Sequence, residues 1–263
     1  MTVHRPGRPL APFVHGIWCW SDDLPDARER RLPTGEMQLV VNLAEDELRW
    51  YDGPDLDRPG RTHGAGLCSA LSGPVGIDTA EQRHVLGVSF RPGGTLPFFG
   101  PPADALVEPV IGLDALWGRA GRQVRERLLE QPDPAAMLVE MERILLEQVV
   151  RPLRPDRGLT AAVLALDRGR PVHRVVDLVG TTPSTLARRF RHGIGLGPKP
   201  FARVRRLQRM LGACGPGVDW AELAVRHGFF DQAHLIHDFR DLTGLTPTAY
   251  APRSRTEPNH VPG

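Results

Sequence analysis

Residues 172–250 read VHRVVDLVGTTPSTLARRFRHGIGLGPKPFARVRRLQRMLGACGPGVDWAELAVRHGFFDQAHLIHDFRDLTGLTPTAY, and this stretch states one pattern twice. Phe190 is followed by Gly195, Pro198 and Phe201; Phe239 is followed at the same offsets by Gly244, Pro247 and Tyr250. Upstream, Val175 and Gly180 are matched by Leu223 and Gly228. Thr182 and Leu186 precede Phe190 as Asp231 and Leu235 precede Phe239, with one extra residue in the second copy between Gly228 and Asp231.

Each copy predicts a helix, a tight glycine turn and a second helix. In the first, His173–Val179 is the supporting helix, Gly180 permits the turn, and Thr182 caps the next helix with Pro183 at its first position. In the second, Asp219 caps Trp220–His227, Gly228 breaks it, and Asp231 caps a helix running to about Leu242. These are the parts of a helix-turn-helix, whose second helix enters the DNA major groove.

Helical periodicity then sorts the side chains. Leu186 with Phe190, and Leu235 with Phe239, share faces that should be buried. The opposite face carries Ser184, Arg188 and Arg191 in the first copy and Ala233, His237 and Arg240 in the second. Thr185 and Gln232 lie near the helix tips. Arg188 and Gln232 have groups suited to guanine and adenine edges, whereas Arg189, Arg191 and Arg240 suit phosphates. His237 offers a pH-dependent contribution. Between the copies, Pro198–Gly212 reads as a linker helix with an apolar stripe of Phe201, Val204, Leu207, Met210 and Leu211 and four arginines elsewhere; Gly212, Gly215 and Pro216 end it. At about 22 Å, it can set two recognition helices roughly one DNA turn, ~34 Å, apart.

Charge divides the chain in the same place. Residues 1–150 hold 15 arginines against 22 acidic residues, a net −7, while residues 151–263 hold 18 basic against 9 acidic, a net +9. A basic half suits a polyanion that would repel the acidic half.

The segment ELAVRHGFFDQAHLIHDFRDLTGLTPTAY, with STLARRFRHGIGLGPKPFARVRRLQRM before it, resembles the AraC/XylS family of bacterial transcription regulators over Thr160–Arg253. It departs from the family at Val175-Val176, where Leu-Ala is usual, and at Phe230, where a turn residue such as Ser is common. Ala187 and Ala233 are small at positions that often carry readout side chains. The resemblance implies a DNA-binding activator that meets RNA polymerase, frequent homodimerisation, and a β-rich, often cupin-like, N-terminal domain that binds a small effector. RLPTGEMQLVVNL (Arg31–Leu43) and LGVSFRPGG (Leu86–Gly94) look like the N-terminal domain of an uncharacterised subset of such regulators.

The residues themselves read compatibly. Glu36–Leu43, Asp46–Tyr51, Gly66–Leu71 and Arg83–Phe90 are candidate strands, the second able to return beside the first, with turns at Gly53-Pro54, Pro59-Gly60 and Pro92-Gly93-Gly94. Short strands and frequent turns suggest a small barrel or sandwich. Phe13, Trp18, Trp20, Trp50, Phe90, Phe98 and Phe99 are available to line its interior, either as core or around an effector. The candidate effector contacts are Trp18, Trp20, Trp50, His63 and Phe90. Helices follow at Leu113–Leu129 and Asp133–Val150; the stripe Leu138, Met141, Leu145 and Val149 on the latter faces either a second subunit or the rest of the chain.

The expected fold is therefore α+β: a β-barrel or cupin-like domain with appended helices, then an all-α domain of two helix-turn-helix modules joined by a linker helix. The boundaries read as 1–112 for the β-rich domain, 113–150 for the helical segment, 151–158 for a linker, 159–253 for the DNA-binding domain and 254–263 for a disordered tail. No run of about 18 apolar residues is present and the N-terminus lacks a signal-peptide core, so a cytoplasmic protein is expected. His15, His63 and His84 form no HxH or HExxH pattern and GxSxG is absent, so no metal, cofactor or catalytic residue is expected. The alternatives are a thiol-responsive regulator using Cys19 and Cys68, a cupin-like enzyme, and an interaction module that does not bind DNA.

Overall fold

The computed structural model describes residues 1–22, 27–53, 55–214 and 218–263; the expected turn residue Pro54 and the helix stop at Gly215-Pro216 lie outside them. The strands of the first half are β1 (Thr2–His4), β2 (Val14–Ser21), β3 (Arg28–Arg31), β4 (Gln38–Asn42), β5 (Leu48–Asp52), β6 (Arg58–Thr62), β7 (Ala65–Cys68), β8 (Val75–Asp78), β9 (His84–Phe90) and β10 (Val110–Gly112). The helices are α1 (Leu113–Trp117), α2 (Arg119–Leu129), α3 (Pro134–Glu147), α4 (Arg157–Asp167), α5 (Val172–Leu178), α6 (Pro183–Ile194), α7 (Pro198–Leu211), α8 (Trp220–Arg226) and α9 (Gln232–Thr243). A last strand, β11 (His260–Pro262), closes the chain.

The architecture is α+β, but the strands form two separate antiparallel sheets rather than a closed barrel. One runs β1-β2-β9-β4-β7-β10 and the other β11-β3-β8-β5-β6. The expected return of Asp46–Tyr51 beside Glu36–Leu43 does not occur: β4 is flanked by β9 and β7, and β5 lies in the second sheet. Strand alternation gives the first sheet two different faces. Ile17, Cys19, Leu39, Val41, Leu86, Val88 and Phe90 are buried in the main core beneath α2 and α3. Trp18, Trp20, Gln38, Val40 and Val85 lie on the other face, toward the second sheet. Gly87 leaves the room that the Trp18 ring occupies, since a Cβ there would fall 2.2 Å from it.

Leu138, Met141 and Leu145 of α3 are buried against β1, β2 and α2, so this stripe is used within the chain. The expected single helix 113–129 is two, divided at Gly118, where φ is +60°. Asp133 caps α3 by accepting from the Ala136 N–H.

In the second half each paired offset has a physical partner. Phe190 and Phe239 are 0% and 1% exposed. The aromatic that follows each at the conserved spacing meets it edge-on: Phe201 against Phe190 at 5.6 Å and 67°, Tyr250 against Phe239 at 5.6 Å and 77°. Thr182 and Asp231 cap α6 and α9 through the N–H groups of Thr185 and His234. Gly180 and Gly228 take φ of +61° and +75° in the two turns, a conformation that would strain any other residue. One helix, α4, was not expected from the sequence; it packs Leu159, Val163 and Leu166 against the first module and α7.

The segment 254–263, expected to be disordered, instead returns to the N-terminal half. β11 pairs antiparallel with β3, placing Val261 opposite Arg30, and Val261 is 3% exposed.

Candidate functional site

Two places in the molecule present chemistry that packing does not use. The first is the outer face of the two second helices. On α6, Ser184, Arg188, Arg189 and Arg191 are exposed, and Thr185 is half-buried in the capping network around Thr182. On α9, Gln232, Ala233, His237 and Arg240 are exposed. The side chains of Arg188, Arg189, Arg191 and Arg240 make no ion pair among the described residues.

The linker helix is the opposite. Arg203 donates to Asp238 at 2.8 Å and Asp241 at 2.9 Å, and Arg206 to Asp238 at 2.6 Å and the Gly228 carbonyl at 3.1 Å. The Arg206 guanidinium also lies 4.3 Å from the centre of the Phe229 ring. Arg205 bonds Asp167 at 2.7 Å, Glu36 at 3.2 Å and the Thr34 carbonyl at 3.1 Å; Arg209 bonds the Asp167 carbonyl. These four arginines are structural ties.

Asp238 is consequently turned inward, 5% exposed, and does not offset the charge of the recognition face. Burial alone would raise its pKa; the hydrogen bonds and charges of Arg203 and Arg206 outweigh that and hold it below the usual carboxylate range. His237, Asp238 and Asp241 are the one group among the described residues spaced to chelate a cation, and both carboxylates already serve arginines.

The second place is a cavity of about 390 Å³ between the sheets. Its apolar wall includes Trp18, Trp20, Val40, Leu48, Ile77 and Val85, and its polar groups include Arg31, Gln38, Arg49 and Glu81. Arg31 donates to Gln38, and the buried Trp20 indole N–H has no partner among the described residues. Of the candidate effector residues, Trp18 and Trp20 line this space. Phe90 points to the other face of the sheet, packed 5.7 Å from Phe98 and 5.9 Å from Phe99. Trp50 is buried with Leu48, Val75 and Val110, its indole lying over Gly60, and His63 is exposed.

The remaining wall comes from the far end of the chain. Arg253, Thr256, Glu257, Pro258, Asn259 and His260 all line the cavity. Glu29, 2% exposed, binds Arg253 at 3.1 Å and His260 at 3.1 Å, while Arg253 also holds Glu257 at 2.8 Å. Burial would raise the Glu29 pKa, but the hydrogen bond from His260 and the charge of Arg253 keep it lowered. Asn259 accepts from Gln208 of α7 at 2.7 Å, so tail, cavity and linker helix form one connected set. Sequence reading missed this wall because a Pro- and Arg-containing terminus carries no strand periodicity; the only local signal is Val261, an isolated apolar residue.

Cys19 and Cys68 are not placed to form a disulfide with one another. They lie on β2 and β7, with β9 and β4 between them, a separation of about 14 Å at the usual strand spacing. Disulfide formation needs Cα atoms within about 7 Å. Burial also raises the pKa of Cys19, which disfavours its reactive thiolate.

Comparison with protein families matches residues 175–253 to a model described as "Helix-turn-helix domain" and residues 2–111 to "Domain of unknown function (DUF6597)". No curated protein matches the chain. Among solved structures, ToxT from Vibrio cholerae aligns at 9% identity and TM-score 0.46, over 89% of this chain and 96% of that one. ToxT from Vibrio cholerae O395 bound to (E)-4-(8-methylnaphthalen-1-yl)but-3-enoic acid aligns at 10% identity and TM-score 0.47, with the same coverage. No helix among the described residues is long and apolar enough to cross a membrane. With its paired modules, capped recognition helices and exposed arginine face, the C-terminal region is an AraC-type helix-turn-helix domain, the DNA-binding part of a transcription regulator, and the N-terminal region matches a domain of unknown function.

Proposed function

We propose that this regulator is an effector-controlled, cytoplasmic activator that acts as a homodimer and meets RNA polymerase at its promoters. Each subunit places α6 and α9 in successive major grooves. Arg188 and Gln232 read bases, Arg189, Arg191 and Arg240 hold phosphates, and Ser184, Thr185, Ala233 and His237 complete the contact surface. Residues 1–112 form the sensor, 113–150 its helical support, 151–158 the connection and 159–253 the DNA-binding domain.

The observation that carries effector control is the return of the tail. The chain leaves the second module at Tyr250 and then supplies part of the wall of the cavity. A molecule that enters the cavity meets Trp18 and Trp20 on one side and Pro258–His260 on the other. Any preference of the ligand for one position of the tail becomes, by linkage, a preference for one disposition of the second module. The unpartnered Trp20 N–H and the Arg31–Gln38 pair supply polar contacts within an apolar space, as small-molecule sites require.

Genomic fragments selected by the full chain identify the operators, and genes beside them nominate effectors. Transcription in vitro from such a promoter should rise when the protein and its effector are added; a fall would make it a repressor. Deleting residues 254–263 should leave duplex binding intact while removing its response to the effector. An unchanged response in the truncated chain would place control elsewhere.

A further inference from the structure

The two recognition helices present different chemistry to the groove. The first shows hydroxyls and free guanidiniums. Around the second, Phe230 is 89% exposed, Ile236 is 37% exposed and Ala233 is exposed between them. Phe230 lies in the second turn, which is one residue longer than the first. The packing role in that turn belongs to its neighbour Phe229, 7% exposed and covered by Arg206 and His234. Phe230 is therefore not needed for the core, and its phenyl ring stands in water just before the Asp231 cap. Its backbone is fixed there, because the Phe230 N–H donates to His234 Nδ1 at 3.2 Å.

The N-terminal end of a recognition helix is the part that reaches base edges. In the major groove the single apolar group is the C5-methyl of thymine, and Phe and Ala are side chains that contact it. We propose that the second module reads thymine methyl groups, with Phe230 as the main specificity-determining contact and Ala233 and Ile236 beside it. Gln232, adjacent in the same turn, suits the adenine of a neighbouring A·T pair. This rests on the DNA-binding reading and deepens it. The first module supplies polar and phosphate contacts, while the second selects A·T pairs by apolar fit, with little charge of its own.

The test removes single methyl groups from DNA. Duplexes are selected with the full chain, and the second half-site is identified as the one whose sequence preference changes when selection is repeated with Gln232→Ala. Each thymine in both half-sites is then replaced by deoxyuridine, which differs only in lacking the methyl. One or two replacements in the second half-site should weaken binding about fourfold each, the effect of burying one methyl-sized group, and none in the first should matter. Phe230→Ala, at an exposed position, should retain the thermal stability of the parent but bind thymine and deoxyuridine duplexes equally. Equal binding of both duplexes by the parent chain overturns the proposal while leaving DNA binding intact. Undiminished discrimination by Phe230→Ala overturns the assignment to that residue. A parent chain that binds no duplex overturns the DNA-binding reading itself.

Discussion

Arginine is used in opposite ways by two adjoining helices. On α7, Arg203, Arg205, Arg206 and Arg209 are committed to carboxylates and carbonyl oxygens of α4, α9 and the N-terminal half. On α6, Arg188, Arg189 and Arg191 are exposed, with no ion-pair partner among the described residues. The 18 basic residues of the second half thus overstate what faces DNA, since several are paired internally. Basic composition locates a nucleic-acid-binding region; only the arrangement of partners tells which cations remain available to it.

The same contrast separates the modules. The first presents three free guanidiniums. On α9 of the second module the one arginine is Arg240, beside His237, which lies 3.4 Å from Asp241. The first should therefore supply most of the electrostatic affinity and the second more of the discrimination.

The largest effect should follow from breaking the ties. Asp238→Ala removes the acceptor shared by Arg203 and Arg206 and should destabilise the folded chain by about 3 kcal/mol, measured by urea unfolding. A change within experimental scatter would show that the α7–α9 clamp is not what holds the second module. Arg188→Ala should leave unfolding unchanged and weaken operator binding by about 1–3 kcal/mol, with a smaller loss on random duplex; equal losses would make Arg188 a phosphate contact. Acid provides a third comparison. Because the folded-state pKa of Asp238 is depressed, its stabilisation is complete above the unfolded value of about 4 and fades as pH falls through the folded value. Asp238→Asn should show a shallower loss of stability below about pH 4 than the parent, with Glu29 still contributing in the same direction. The smallest effect is expected from Arg191→Gln, which should lower the slope of log affinity against log salt by about 1 on any duplex.

Much of the DNA-binding half was legible in the sequence because its determinants are local. Caps, turn glycines and a periodic apolar face lie within a dozen residues of one another, and Thr182, Asp219 and Asp231 cap where their positions implied. The N-terminal half was less legible. Its strands are short, and which of them pair depends on contacts distant in sequence, as with β5 joining β8 rather than β4. The cavity was legible only through Trp18 and Trp20, whose alternation with Ile17 and Cys19 implies a two-faced strand. Its other wall, from Arg253 to His260, was hidden because those side chains acquire their role from Glu29, more than 200 residues earlier. Phe230 was read as a departure at a turn; its functional interest comes from its exposure.

Affinity of the full chain for a selected operator and for random duplex, from 50 to 200 mM salt, tests the central claim most directly when parent and Arg188→Ala are run together. The account predicts that parent affinity falls steeply with salt on both duplexes. It also predicts that Arg188→Ala loses part, but not all, of the preference for the operator, the remainder coming from the second module. A flat salt response, or a variant that keeps the parent's preference, would contradict it.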